Sequence, residues 1–294
     1  MLKYKMLYTK YKWPQLYFNK KNRREIMNEQ TIQLLAKKAQ AKVALLNESK
    51  LKYIVSAMFA GLLVGMGCIL VYSVGGMLHA EHSPFTKIAV GLSFSFALSL
   101  ILVLGYELFT SNTMVMTVGA LDKKTTMKNW FSILTFSYIG NFLGALLISI
   151  LFVATGLTDK GTAIEYFAYV ATAKVSGTAL QLFAKGILCN ILVCGAVLSA
   201  YKLKNEMAQL FMALICLYAF VTSGFEHCIA NMTVFITTLL SPGSVGVITA
   251  SQALYSTVFV TLGNIVGGAV FYGIATYFLS KEKTNKVEEI KEAC

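Results

Sequence analysis

A carboxylate and an imidazole stand side by side at Glu226 and His227, inside the stretch GFEHCIAN (Gly224–Asn231), within an apolar run from Met207 to Ser241. Ionisable groups are costly in such surroundings, and inside a membrane they mark function more often than packing. Neutral imidazole donates a hydrogen bond to an anion, and imidazolium exchanges a proton with it, so His227 is the first candidate for solute contact. A second polar cluster, GYELFTSN (Gly105–Asn112), interrupts another apolar run, Ile88–Leu121. In both clusters a glycine precedes an aromatic and a glutamate, and an asparagine follows five places after the glutamate. Glu107, Asn112, Glu226 and Asn231 are therefore read as paired braces for backbone freed inside a membrane, with direct solute contact the lesser role. His227 has no counterpart, because Leu108 takes its place. Thr110 offers a hydroxyl that completes the other side of a small site.

Other residues near the clusters carry two readings. Leu108, Phe109, Phe94, Leu98 and Phe220 are either ordinary core or the constrictions of a narrow pore. Lys174, in ATAKVSG before a later apolar run, is either a solvated loop lysine or a charge that draws small anions to a pore mouth. Metal chemistry has little support: Glu226, His227 and Cys228 are consecutive, so their side chains diverge on a helix, and no HExxH motif occurs. His79 and His82 precede Pro84 and read as solvated. With no nucleotide loop, Walker lysine or triad candidate, no enzyme, metal or cofactor is expected.

The elements that must position these residues follow from composition. Of 294 residues, 56% are hydrophobic and 14% charged, against roughly a quarter charged in soluble domains. This is the signature of an integral membrane protein. The net charge of +12 is concentrated at the N-terminus, which fits a basic cytoplasmic end better than a nucleic-acid surface. Residues 1–27 read as a basic extension, dispensable if Met27 is an alternative start. Asn28–Lys50 reads as an amphipathic cytoplasmic helix, with Ile32, Leu35, Ala39, Val43 and Leu46 on one face and Lys37, Lys38 and Lys42 on others. Six cysteines without CxxC spacing read as buried, reduced fillers.

Six apolar runs make up residues 51–280: Tyr53–Leu78, Ile88–Leu121, Trp130–Ala154, Ala179–Tyr201, Met207–Ser241 and Ala253–Leu279. A polar connection, Thr158–Thr178, precedes the fourth, and a charged tail fills 281–294. Runs two and five are too long: roughly 34 residues make a helix of about 50 Å, while a bilayer core of ~30 Å needs about 20. A break at each polar cluster resolves the excess. Lysine-rich segments at the N-terminus, the second and fourth loops and the tail place both termini in the cytoplasm.

The two clusters belong to a repeat. GNFLG (Gly140–Gly144) matches GNIVG (Gly263–Gly267), which adds Asn264 to the braces, and Phe59-Ala60 pairs more weakly with Phe183-Ala184. All offsets lie between 119 and 124 residues, in the same order. The chain thus reads as two homologous three-helix halves, the second inverted because three is odd. Inverted repeats place broken helices face to face around a midplane site.

GYELFTSN, GFEHCIANM, ATAKVSG and LGNIVGG together resemble the formate/nitrite transporter family over Asn28–Leu279, with the clostridial hydrosulfide channel branch the nearest. The resemblance implies an aquaporin-like all-α fold of six transmembrane helices, assembled as a homo-pentamer in the plasma membrane with one pore per protomer. It also implies roles: His227 as the central pore histidine, Lys174 as the vestibule lysine, and Thr110 with Leu108 and Phe109 on the loop of the broken second helix. Phe94, Leu98 and Phe220 would neighbour the constrictions. The expected activity is a channel for small monovalent anions, hydrosulfide first, with formate, nitrite and chloride also permeating. A proton-coupled formate or nitrite transporter on the same fold is the alternative.

Overall fold

Both over-long apolar runs are interrupted where their polar clusters stand. The computed structural model describes residues 13–281, with side chains described for 30–280. Its helices are α1 (Trp13–Glu48), α2 (Lys50–Ala80), α3 (Thr86–Leu104), α4 (Phe109–Leu121), α5 (Met127–Ala154), α6 (Thr162–Val175), α7 (Ala179–Lys202), α8 (Glu206–Thr222), α9 (Cys228–Leu240) and α10 (Ala250–Val266). A π-helical segment, Gly267–Ile274, carries α10 on into α11 (Ala275–Lys281). Among the described residues, five stretches are long and apolar enough to cross a membrane: α2, α3, α5, α7 and Ala250–Ser280; α8 and α9 are shorter apolar helices. The second run is thus α3 plus α4, and the fifth α8 plus α9.

Gly105 ends α3 at φ 72°, and Gly224 follows α8 at φ 74°. A Cβ at either would meet nothing within 4 Å. The left-handed backbone, not space, is what calls for glycine there.

Packing repeats along with the breaks. α2 lies on α5, and α7 lies on α10. At Gly144 a Cβ would strike the Met58 carbonyl, and at Gly263 the Phe183 carbonyl. The glycines of the two GN motifs therefore let the backbones of each pair touch, the usual device for joining helices in lipid.

Two expectations are corrected. The first helix begins at Trp13 rather than Asn28, so no break separates the basic extension from the amphipathic segment. Residues 15–27 contain no glycine or proline to interrupt a helix, although they lack an apolar stripe. The rest of the extension (1–12) and of the charged tail (282–294), including Cys294, lie outside the described residues. The expected polar connection Thr158–Thr178 instead contains α6. Its polar residues mask a stripe, Ile164, Phe167 and Ala171, that is buried at helical spacing.

α1 packs across α4 and α6 across α2 and α9. On α1, Ile32, Leu35, Ala39 and Leu46 are buried as expected, with Val43 half-buried. Cys68, Cys189, Cys194, Cys216 and Cys228 are free and buried.

Candidate functional site

Breaking a helix inside a membrane orphans backbone groups, and the two asparagines of the GN motifs satisfy them in the same way. Asn141 Oδ1 accepts from Phe109 N (2.9 Å), while its Nδ2 donates to the carbonyls of Glu107 (2.9 Å) and Ala57 (2.7 Å). Asn264 Oδ1 accepts from Cys228 N (2.9 Å), and its Nδ2 donates to the carbonyls of Glu226 (2.9 Å) and Gly186 (2.7 Å). Each asparagine ties the first turn of a half-helix to the residue before it and to the neighbouring helix.

The carboxylates are also matched. Lys42 Nζ reaches both oxygens of Glu107 (2.9 and 2.8 Å), which also accepts from Tyr53 OH (2.9 Å) and Asn112 Nδ2 (3.0 Å). Lys174 Nζ meets Glu226 at 2.6 Å, and Asn231 Nδ2 donates to the same oxygen at 2.8 Å. Breaking a buried pair by removing one partner costs several kcal/mol, about 3–5, so each lysine is anchored to its break. For Lys42, on a helix outside the spans, burial is the largest single influence and would lower the pKa, but the Glu107 carboxylate and Tyr201 together outweigh it and the net shift is upward.

His227 caps α9 and Leu108 caps α4. The N-terminal ends of the two half-helices meet where His227 Nε2 lies 3.1 Å from Thr110 Oγ1. Ala230 N–H donates to His227 Nδ1 (3.2 Å). A backbone N–H can only donate, so Nδ1 carries no proton, and the neutral ring holds its proton on Nε2. Nε2–H then donates to Thr110, whose own hydroxyl proton stays free for another acceptor.

Three cavities follow one another along the breaks, two of them bordered by His227. One of about 270 Å³ is bordered by Lys174, Glu226, Asn231, Phe94, Phe220 and His227, among others. One of about 230 Å³ is bordered by Lys38, Lys42, Glu107, Leu98 and Leu108. Between them lies a slot of about 10 Å³, walled by Phe94, Leu98, Leu108, Phe220 and His227 with other apolar side chains. That is room for about one water. Phe94 and Phe220 meet edge to face at 5.9 Å, and Phe220 stacks on His227 at 6.1 Å.

The formate/nitrite transporter family model matches residues 29–278. The chain belongs to this family. It is 36% identical over 250 residues to the nitrite transporter NirC of Escherichia coli (strain K12), covering 84% of this chain and 90% of NirC. A solved FNT family ion channel is 33% identical with a TM-score of 0.80, over 85% of this chain and 99% of that one. A pentameric formate channel with formate bound is 29% identical with a TM-score of 0.67, over 79% and 98%. The family is one of transporters, so this is a multi-pass membrane protein and not an enzyme.

The structure of this family member brings together most of the residues singled out from sequence and separates one. Phe109 is buried edge-on against Tyr138 at 4.9 Å and borders none of the three cavities, so it reads as core. Thr110 borders none of them either and reaches the site only through His227. Lys174 is not in a solvated loop; it sits in the last turn of α6. Sequence reasoning missed Tyr53, Asn141 and Lys42, although two signals were present. Asn141 stands in GNFLG opposite Asn264. Lys42 had been assigned to a polar face, yet Leu35, Ala39, Lys42 and Leu46 step by four, three and four, which puts it on the buried stripe. Lys174 likewise continues the stripe Ile164, Phe167, Ala171.

Proposed function

We propose that this protein is a channel for small monovalent anions, with hydrosulfide the preferred solute and formate, nitrite and chloride also permeating. In this reading six spans form two inverted three-helix halves with an aquaporin-like arrangement, assembled as a homo-pentamer in the plasma membrane. Both termini are cytoplasmic, which puts the Lys42 cavity inside and the Lys174 cavity outside. The observation that carries the reading is the meeting of two half-helix N-termini at the Thr110–His227 contact, between two lysine-bearing cavities. Helix N-termini favour negative charge, and nothing else in the apolar slot offers it a proton to share.

The mechanism follows from what each group can donate. Lys174 or Lys42 holds an anion at a mouth. The slot, with room for about one water, strips its hydration. Nε2–H of His227 then exchanges Thr110 for the anion, while the Ala230 N–H on Nδ1 keeps the ring's proton on Nε2 and Thr110 acts through the imidazole it holds. The narrowness of the slot supports hydrosulfide, with one heavy atom, over formate and nitrite, with three. Glu107, Asn112, Glu226, Asn231, Asn141 and Asn264 hold the two half-helices in place.

The test is uptake of hydrosulfide, formate, nitrite and chloride into proteoliposomes, with and without a pH gradient, for the parent and His227→Leu. The expected result is rapid hydrosulfide uptake without a proton gradient, and altered selectivity and pH dependence in the variant. Formate or nitrite uptake that appears only with inward protons would instead make the protein a proton-coupled carrier. If the variant matched the parent in flux, selectivity and pH dependence, His227 would lose its role.

A further inference from the structure

The lysines on the Lys174 side of the protein are sorted. On the side away from Lys42, the described residues include four lysines, Lys87, Lys160, Lys174 and Lys185, and four acids, Glu81, Asp159, Glu165 and Glu226. That side carries no net charge. Yet Lys87, Lys174 and Lys185 all border the 270 Å³ cavity, while Glu226 is the one acid that does. Glu81, Asp159 and Glu165 are exposed elsewhere. Glu226 is matched by Lys174, and among the described residues no carboxylate lies within ion-pair distance of Lys87 or Lys185, so two uncompensated positive charges face the cavity.

Ordinary topology does not account for this arrangement. Non-cytoplasmic loops tend to be poor in lysine, and the first turn of a helix disfavours a cation, yet Lys87 stands in the first turn of α3. Among the described residues, the cavity on the other side has only Lys38 as a charged side chain beyond its Lys42–Glu107 pair, and Lys38 lies over the Tyr201 ring at 5.1 Å. The two mouths, related in scaffold, therefore differ in free charge.

We infer that Lys87 and Lys185 are anion-capture residues, which concentrate small monovalent anions in the outer cavity before Lys174 and His227 meet them. The inference rests on the anion-channel reading. Their role is long-range attraction, so it is strong at low ionic strength and screened at high. A unit charge about 6 Å from the anion path in water-like surroundings changes local anion concentration about threefold.

The experiment is uptake of radiolabelled formate into proteoliposomes at about 20 mM and about 500 mM ionic strength, where the screening length falls from roughly 20 Å to roughly 4 Å. It compares the parent, Lys87→Gln, Lys185→Gln, the double Gln variant and the double Arg variant. At low salt each single Gln variant should lose up to about threefold and the double variant more. The gap should close at high salt, and the double Arg variant should track the parent throughout. Equal uptake by parent and double Gln variant at both ionic strengths, with the parent active, would overturn the capture role and leave the channel reading intact. A loss that persisted unchanged at high salt would also overturn it, since that marks a structural effect. A parent with no anion uptake at all would remove the channel reading and this inference with it.

Discussion

Asn264→Ala is the substitution that most directly tests how the breaks are held. The side chain satisfies three backbone groups, Cys228 N–H and the carbonyls of Glu226 and Gly186, and it is fully buried. Alanine leaves all three without that partner. An orphaned buried polar group costs about 1–3 kcal/mol. Interhelical polar contacts measured in membranes average nearer ~0.6 kcal/mol, because the unfolded chain in lipid finds other partners. Three groups therefore bracket the loss between about 2 and about 9 kcal/mol. Glu226 and Cys228 flank non-helical backbone, where an internal bond cannot re-form, so about 3 kcal/mol or more is expected. Asn264→Asp retains the acceptor for Cys228 but loses both donated bonds, and should be no better than intermediate. Asn141→Ala should match Asn264→Ala, because its three bonds repeat those of Asn264 one for one. The assay is equilibrium unfolding of the purified protein in detergent, followed by circular dichroism. A loss under about 0.5 kcal/mol for Asn264→Ala, below even one such bond, would refute the brace.

Gly105→Ala and Gly224→Ala should each destabilise by about 1–2 kcal/mol, since an L-residue at positive φ is strained even where its Cβ has space; a thermal-shift series with neighbouring Gly→Ala controls checks this. Removing the charge of Lys42 should loosen α1 from Glu107, whether by Lys42→Met or by raising the pH. Because the pKa of Lys42 is raised in the folded protein, its contribution is fully present below about pH 10.5 and is lost only as pH climbs through the higher folded value. Lys42→Met leaves Glu107 buried with its charge unpaired and should cost about 3–5 kcal/mol, much of it recovered in the double variant with Glu107→Gln. A spin label at exposed position 37 would report the loosening in both cases.

The breaks and their braces were legible in the sequence because the repeat writes them twice. Run length required an interruption, and the matched Gly–aromatic–Glu…Asn clusters showed where. The GN motifs pointed to Asn264 and, read as strictly, to Asn141. The surface helices were harder. α6 carries polar residues between its buried positions, so a reading by average polarity passed over it as a connection. Lys42 and Lys174 were misplaced for a related reason: a lysine on an amphipathic helix is assigned to water by type, while its spacing assigns it to the apolar stripe. Spacing is the better guide here, because the stripe ends against a buried carboxylate that the lysine can reach. For Phe109 the sequence leaves core and constriction open, and one residue along a helix from Leu108 is a turn of about 100°, enough to send the ring into the core against Tyr138.

The residues that the two halves share and those they do not share divide by task. Glycine, glutamate and asparagine recur, and each satisfies or shapes backbone. The capping position differs, Leu108 in one half and His227 in the other, and that position borders the slot from both sides: Leu108 between slot and Lys42 cavity, His227 between slot and Lys174 cavity. A second imidazole at 108 would give the slot two donors and a deeper well for a bound anion, and a site that binds too tightly releases slowly. Leucine there leaves a single polar step between two apolar walls. The difference in free lysine between the cavities follows the same division, since charge at a mouth changes how often an anion arrives without altering the braces that hold the half-helices. Repetition thus supplies the scaffold, and departures from it supply the chemistry.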